Sequence, residues 1–117
     1  MDGLLKNQNN TRVTEVLDEC KTLLIKKGED YQNPNSSVKQ AMHYRRGVDS
    51  IHDFIHQKVL RAQSILESGV SNTNYESLED TYKDIINYCA MSVAYLRGNM
   101  DGQSPDRDIF NKPVNKY

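Results

Sequence analysis

Apolar residues recur at every third or fourth position in four segments of this chain, which is the spacing of helices that bury one face. In the first segment these positions run from Val13 to Leu24, and Gly28 follows as the expected left-handed end of a helix. No stretch alternates apolar and polar residues over a useful length, so the pattern predicts no strand. Three further helices are predicted at about 37–46, 51–67 and 78–97, each followed by a glycine: Gly47, Gly69 and Gly98.

Two of the predicted helices begin with a serine that is followed, three residues later, by an aspartate. Ser50 with Asp53 and Ser77 with Asp80 have this spacing, which is typical of a helix N-cap. We therefore predict an all-α fold, a small helical bundle of three long helices and one short helix that assembles into an oligomer. The predicted organisation is an N-terminal polar segment at 1–11, one domain at 12–98 and a polar C-terminal tail at 99–117.

Composition excludes several classes of protein. The chain has 117 residues and a net charge of −1, whereas a general nucleic-acid binder usually carries a large basic excess. No apolar run approaches the roughly 18 residues of a membrane span. The first ten residues are polar and lack the core of a signal peptide, so we expect a cytoplasmic protein. Cys20 and Cys89 fall within helical patterns, and we expect both to be reduced.

The near-neutral net charge hides a segregation of charge along the chain. Residues 21–61 contain eight basic and four acidic residues, a net of +4, and residues 62–101 contain two basic and six acidic residues, a net of −4. A basic third helix facing an acidic fourth helix would form a polar seam. Such a seam suits a pocket for phosphate and metal, and it equally suits an ion-paired helix interface.

The fourth predicted helix has two distinct faces. We expect its apolar stripe to face the core, and this stripe comprises Leu78, Tyr82, Ile85, Cys89, Val93 and Leu96. The nearly opposite stripe mixes carboxylates with an amide and large side chains: Asp80, Asp84, Asn87, Tyr88, Met91 and Tyr95. We expect this second stripe to face a cleft or a neighbouring subunit. Because Mg²⁺ prefers oxygen ligands, Asp80 and Asp84 are candidate metal ligands; the alternative is a solvated acidic first turn.

The third predicted helix carries two cations at its apolar stripe. Lys58 projects into the middle of the stripe and Arg61 lies at its edge. Either Lys58 extends its ammonium group to the surface, or the two cations pair with an aspartate of the fourth helix or with a ligand phosphate. His52 and His56 have the i, i+4 spacing of zinc-binding helices, but no third ligand is evident and we expect surface histidines without zinc.

Three motifs resemble a known family. Residues 27–31 resemble the K-x-x-D-Y element of the largely phage-associated nucleotide-modification-associated domain, type one. Lys58 and Arg61 resemble its K-x-x-R helix, and residues 76–88 resemble its E-S-x-x-D-T-x-x-D-x-x-N-Y signature. That family is similar to the all-α NTP pyrophosphohydrolases, which include MazG and the dimeric dUTPases. Thr81 stands three residues before Asp84, where those enzymes have a glutamate.

The resemblance implies a helical oligomer that handles a phosphorylated nucleotide, with Mg²⁺ held by Asp80 and Asp84. It implies that cations hold phosphates and that a tyrosine stacks on the base. The residues so implicated in ligand binding are Lys27, Asp30, Tyr31, Lys58, Arg61, Asn87 and Tyr88.

Three functions stay open at the level of sequence. The first is a Mg²⁺-dependent nucleotide pyrophosphohydrolase or a related nucleotide-modifying enzyme. The second is a non-catalytic sponge that sequesters a nucleotide-derived immune signal, such as a cyclic nucleotide, in an oligomer interface, which would be an anti-defence role. The third is a structural helical adaptor whose polar residues form ion pairs between subunits.

Overall fold

A computed structural model describes residues 8–31, 33, 35–69 and 77–103. Three α-helices account for most of these residues: α1 (Gln8–Tyr31), α2 (Val48–Ser68) and α3 (Leu78–Leu96). A short 3-10 helix, Gln40–His43, lies between α1 and α2. The described residues contain no strand, so the all-α prediction is confirmed. None of the described helices is long and apolar enough to cross a membrane.

The first helix does not end where the sequence pattern placed its end. Gly28 lies inside α1, which continues to Tyr31. The glycines with positive φ are Gly47, Gly69, Gly98 and Gly102, so Gly28 is not a left-handed stop. The prediction was wrong because glycine permits a helix end without enforcing one.

The predicted short α-helix at about 37–46 is replaced by the four-residue 3-10 helix. Lys39 precedes it in an extended conformation, with φ −108° and ψ 162°. The backbone N–H of Ala41 donates to the carbonyl oxygen of Asp101 at 2.9 Å. This bond ties the segment to the chain after α3 and uses a donor that stays free at the start of an α-helix.

The two predicted serine caps have different outcomes. The backbone N–H of Asp80 donates to Oγ of Ser77 at 3.0 Å, so Ser77 caps α3 as predicted. Ser50 lies inside α2 and does not cap it, since the N-cap position is Gly47. Oγ of Ser50 instead accepts from the backbone N–H of Arg46 at 2.8 Å.

The core lies where the 3-10 segment, the start of α2 and the end of α3 meet. It consists of Ala41, Tyr44, Ile51, Tyr95 and Met100, all of them buried. Met100 belongs to the segment predicted as tail, so the packed structure extends beyond residue 98. Residues 104–117 lie outside the described part of the chain.

The mixed stripe of α3 borders a cleft from Asp84 to Met91, as the sequence predicts, whereas the apolar stripe does not form the core as expected. Asn87 and Tyr95 of the mixed stripe are buried, and so is Thr81, which belongs to neither stripe. Three of the six residues of the apolar stripe are exposed: Tyr82 at 45%, Val93 at 46%, and Cys89. Thr81 Oγ1 donates to the carbonyl oxygen of Ser77 at 2.8 Å, and Asn87 Nδ2 donates to the carbonyl oxygen of Cys20, so both side chains keep a hydrogen bond where they are buried.

Candidate functional site

The carboxylate of Asp84 joins all three α-helices. Its Oδ1 lies 3.2 Å from Nζ of Lys27 on α1, and its Oδ2 lies 3.0 Å from Nζ of Lys58 on α2. The Asp84 side chain is only 12% exposed, so water screens these ion pairs less than pairs on an open surface. Lys58 therefore adopts the paired alternative of the sequence analysis. The acidic and basic parts of the chain meet at this point.

A buried amide provides a second link between α1 and α3. Asn87 Nδ2 donates to the carbonyl oxygen of Cys20 at 3.1 Å, and both residues are buried. Burial raises the pKa of the Cys20 thiol, which keeps it neutral. Farther out, Nζ of Lys83 lies 3.5 Å from Glu19 on α1. These contacts fix α1 against the side of α3 that carries Asp84.

A cavity of about 430 Å³ opens beside this junction, between α1, the 3-10 segment, α2 and α3. Its volume falls within the roughly 300–1,000 Å³ of small-molecule pockets. We call it the aromatic cavity. Its charged and polar lining consists of Lys27, Lys39, Gln40, His43, Asp84 and Asn87, and its other lining residues are Leu24, Gly28, Val38, Tyr44, Phe54, Tyr88 and Met91.

Three aromatic rings form one side of the aromatic cavity. Phe54 and Tyr88 stack with ring centroids 5.4 Å apart and planes 5° from parallel. Tyr44 meets Phe54 edge to face, with centroids 6.0 Å apart. Phe54 is 37% exposed, so the cluster presents ring surface to solvent. Rings held in this way offer a rigid apolar surface for a planar group.

Two side-chain donors near these rings, from Tyr44 and Gln40, both contact the sulfur of Met91. Tyr44 Oη lies 3.6 Å and Gln40 Nε2 lies 3.5 Å from Sδ of Met91. Burial, together with the neighbouring Tyr88, raises the pKa of the Tyr44 phenol, so it remains a neutral donor at physiological pH. Sulfur is a weak acceptor, so a ligand with better acceptors would compete for both donors.

A basic surface continues from the aromatic cavity. An adjoining cavity of about 420 Å³ shares His43 and Phe54 with it and is lined further by Arg45 and Arg46. Both arginines are exposed, and no ion pair within the described part of the chain involves either of them. With Lys39, they give this side of the site an excess of positive charge.

The structure brings together some of the residues implicated by the sequence. Lys27, Asp84, Asn87 and Tyr88 line the aromatic cavity. Lys58 pairs with Asp84 but does not itself line the cavity. Arg61 is half-buried on α2 and does not line the cavity either. The side chains of the remaining two, Asp30 and Tyr31, lie outside the described residues.

Sequence reasoning missed the contribution of the segment between α1 and α2. The cavity residues of this segment that it did not anticipate are Val38, Lys39, Gln40, His43 and Tyr44, and on α2 it did not anticipate Phe54. One signal was present, since residues 39–46 concentrate two arginines, a lysine and a histidine around Tyr44. The sequence analysis counted these cations only in the net charge of +4 over residues 21–61.

The surroundings of Asp84 do not fit a Mg²⁺ site in the described residues. Each of its carboxylate oxygens already contacts an ammonium group, and two such cations disfavour a divalent ion at the same position. Asp80 is exposed in the first turn of α3. Nor does any group of three or more His, Cys, Asp or Glu side chains with metal-binding geometry occur within 8–31, 33, 35–69 and 77–103.

Comparison with known proteins places the chain in a family. No curated protein and no solved structure matches it. Residues 27–96 match the nucleotide modification associated domain 1. The match spans α2, α3 and the end of α1 that carries Lys27, and thus covers the elements that build the aromatic cavity. Because it covers more than half of the chain, this protein belongs to the nucleotide modification associated domain 1 family.

Proposed function

We propose that this protein binds a phosphorylated nucleotide in the aromatic cavity. The observation that carries the proposal is the convergence of a three-ring cluster with Lys27 and Lys39 in one cavity, although these residues come from four separate elements. A nucleotide needs both chemistries, since its base is planar and its phosphates are anionic. The role in nucleotide modification suggested by the family's name supports the same ligand class.

The proposed orientation follows from the distribution of charge. The base packs against the rings of Tyr88 and Phe54, where a stacked base gains about 1–3 kcal/mol. The phosphates approach Lys27 and Lys39, with Arg45 and Arg46 within reach of a longer phosphate chain. A phosphate near Lys27 would also compete with Asp84 for its ammonium group.

The arrangement favours binding over hydrolysis. Asp84 is neutralised by two lysines, so the metal that a pyrophosphohydrolase needs has no prepared place among the described residues. The two ion pairs of Asp84 therefore support a protein that binds and sequesters an intact nucleotide. Magnesium at Asp80 and Asp84, and hydrolysis as in the all-α NTP pyrophosphohydrolases, stay predictions that the same experiment tests.

We also propose that a second copy of this chain covers the outer face of α3. The residues of the apolar stripe, Leu78 to Leu96, recur at spacings of three or four residues, as the contact residues of self-pairing helices do. Tyr82, Cys89 and Val93 are its exposed members. Charged groups that would keep such a face in water are absent from those six positions of the stripe. A symmetric dimer would bury this stripe against itself.

The test of nucleotide binding is a titration of the full-length protein with nucleoside mono-, di- and triphosphates of each base, with and without Mg²⁺. The mixtures are then heated, and the released ligand is identified by chromatography. We expect intact nucleotide and an affinity that does not need Mg²⁺. Lys39→Gln should weaken binding about tenfold, because a charge-assisted hydrogen bond contributes about 1.5–3 kcal/mol.

Lys26→Gln is the matched control, because Lys26 is exposed on α1 and lines none of the cavities described above. Its affinity should stay within about twofold of the wild type. Binding of no nucleotide, or equal weakening by both substitutions, would contradict the proposal. Product formed only with Mg²⁺ would favour hydrolysis instead.

A further inference from the structure

A second cavity opens on the other side of α1's last turns. It has a volume of about 560 Å³, and its lining is mostly apolar. Four residues, Leu24, Gly28, Gln40 and Met91, line both this cavity and the aromatic cavity. The two spaces are therefore neighbours that share one wall. We call the second space the alanine cavity, after two α3 residues in its lining, Ala90 and Ala94.

Gly28 is at the shared wall, and the fold gives no reason for a glycine there. It lies inside α1 with no positive φ, so its backbone suits any residue. A Cβ atom built at Gly28 would meet no other atom within 4 Å. Glycine within a helix lowers stability by about 1 kcal/mol relative to alanine. Glycine at this position therefore lowers helix stability without relieving a steric clash. The space that a side chain would fill belongs to the two cavities.

The opposite side of the wall is formed by side chains that are weakly attached. Gln40 Nε2 contacts Met91 Sδ at 3.5 Å, and a thioether sulfur is a weak acceptor. Both side chains are unbranched and can change rotamer at low cost, and Met in particular adapts to its surroundings. A ligand that passes between the two cavities would thus meet a glycine on one side and two movable side chains on the other.

The chemistry of the alanine cavity resembles what a second base requires. Its lining is largely apolar, with Ala90, Ala94 and Met100, and its polar residues are Gln40, Asn99 and one carboxylate, Glu29. An apolar lining accepts a planar ring, and amides pair with the polar edge of a base. The alanine cavity contains no lysine or arginine, so a phosphate group is not its natural occupant.

We infer that the ligand is a dinucleotide whose two bases occupy the aromatic cavity and the alanine cavity, and that Gly28 keeps the passage between them open. This inference rests on the proposed nucleotide-binding function and adds the size of the ligand. The phosphates that join the two nucleosides lie near Lys27, the residue before the glycine. Both linear and cyclic dinucleotides meet these requirements.

The test compares dinucleotides with their matching mononucleotides by calorimetric titration of the wild-type protein and two variants. Wild-type protein should bind at least one dinucleotide about tenfold more tightly than the mononucleotide, since a second stacked base adds affinity. Ala90→Leu fills only the alanine cavity and should remove that advantage, with the mononucleotide affinity unchanged within about twofold. Gly28→Leu, at the shared wall, should weaken the dinucleotide at least as much.

Ser64→Leu is the control for added bulk, because Ser64 is exposed on α2 and lines none of the described cavities. Circular dichroism and thermal unfolding establish that each variant folds. Equal affinities for dinucleotide and mononucleotide in the wild type, or an undiminished dinucleotide advantage in Ala90→Leu, would overturn this inference and leave the proposed function standing. Binding of no nucleotide of either kind would overturn both.

Discussion

Lys58 on α2 and Asp84 on α3 form an ion pair in which Nζ lies 3.0 Å from Oδ2, at the side of the cavity proposed to bind nucleotide. Neither side chain is free to solvent, since Lys58 is 26% and Asp84 is 12% exposed. Both residues lie within the part of the chain that matches the family, and the ion pair joins two of its helices. The carboxylate of Asp84 balances the charge of both lysines and holds their ammonium groups in place, and Lys27 also lines the cavity.

Asp84→Asn should destabilise the protein. The substitution leaves the ammonium group of Lys58 partly buried without its counter-ion, which typically costs about 1–3 kcal/mol. Urea unfolding monitored by circular dichroism measures the change. Asp80→Asn is the matched control, since Asp80 is exposed, and its free energy of unfolding should change by less than about 0.5 kcal/mol.

The same pair of variants separates charge balance from metal binding. Because Asp84→Asn removes a negative charge beside Lys27 and Lys58, affinity for an anionic nucleotide should be maintained or raised. If both aspartates held Mg²⁺, both variants would instead lose any Mg²⁺-dependent increase in affinity. That second pattern would contradict the role assigned to Asp84 here.

Asn87→Ala should also destabilise the protein, by about 1–3 kcal/mol, because it removes a buried donor and leaves a gap between α1 and α3. The measurement is again urea unfolding. Asn99→Ala serves as the control, since Asn99 is exposed, and should be near neutral. Equal losses in the two variants would show that the contact between Asn87 and Cys20 contributes nothing specific.

Two glycine substitutions should have opposite effects on thermal stability. Gly28→Ala should stabilise the protein by about 0.5–1 kcal/mol, because alanine is the better helix former and its Cβ meets no atom. Gly69→Ala should destabilise it by about 1 kcal/mol, because Gly69 ends α2 with φ +64°. Scanning calorimetry of both variants measures the two shifts. Destabilisation by Gly28→Ala would mean that the fold itself requires this glycine.

Stability should fall at alkaline pH partly through Tyr44. Burial raises its pKa above the ordinary value of 10.0, so the neutral phenol is favoured in the folded state. The sign follows from linkage: this contribution is fully present below pH 10 and is lost as the pH rises through the raised pKa. Tyr44→Phe should therefore lose less stability than the wild type above pH 10. Tyr82→Phe, at a 45% exposed position, should follow the wild type.

Charge on the outer face of α3 should prevent self-association. Val93→Glu places a carboxylate in the middle of the proposed dimer interface, where burial of an unpaired charge is strongly unfavourable. Light scattering should give a dimer for the wild type and a monomer for the variant. Lys21→Glu, an exposed change on α1, is the control and should leave the dimer intact. A monomeric wild type would contradict the proposed interface.

The periodicity of the sequence was sufficient to predict the three α-helices and some of the residues at which they begin or end. Apolar spacing located α1, α2 and α3, and Ser77 and Gly69 were correctly placed at the beginning of α3 and the end of α2. These features depend on residues close in sequence, so local physics decides them. The end of α1 was not predictable in the same way, because a glycine such as Gly28 permits a helix end without enforcing one. The 3-10 helix was not predictable because the backbone of Ala41 bonds to Asp101, which is distant in the chain.

Some features of the candidate site were likewise predictable from the sequence, and others depend on the tertiary structure. Sequence alone determined that the chain is all-α, that a basic part precedes an acidic part, and that Lys27, Lys58, Asp84, Asn87 and Tyr88 are residues to examine. Only the tertiary structure decided that Asp84 and Asn87 of the mixed stripe pack against other helices while Tyr82, Cys89 and Val93 of the apolar stripe are exposed, because burial of a polar group depends on partners elsewhere in the chain. Asp84 finds two lysines on other helices, and Asn87 finds the carbonyl of Cys20, pairings that no local pattern in the sequence encodes.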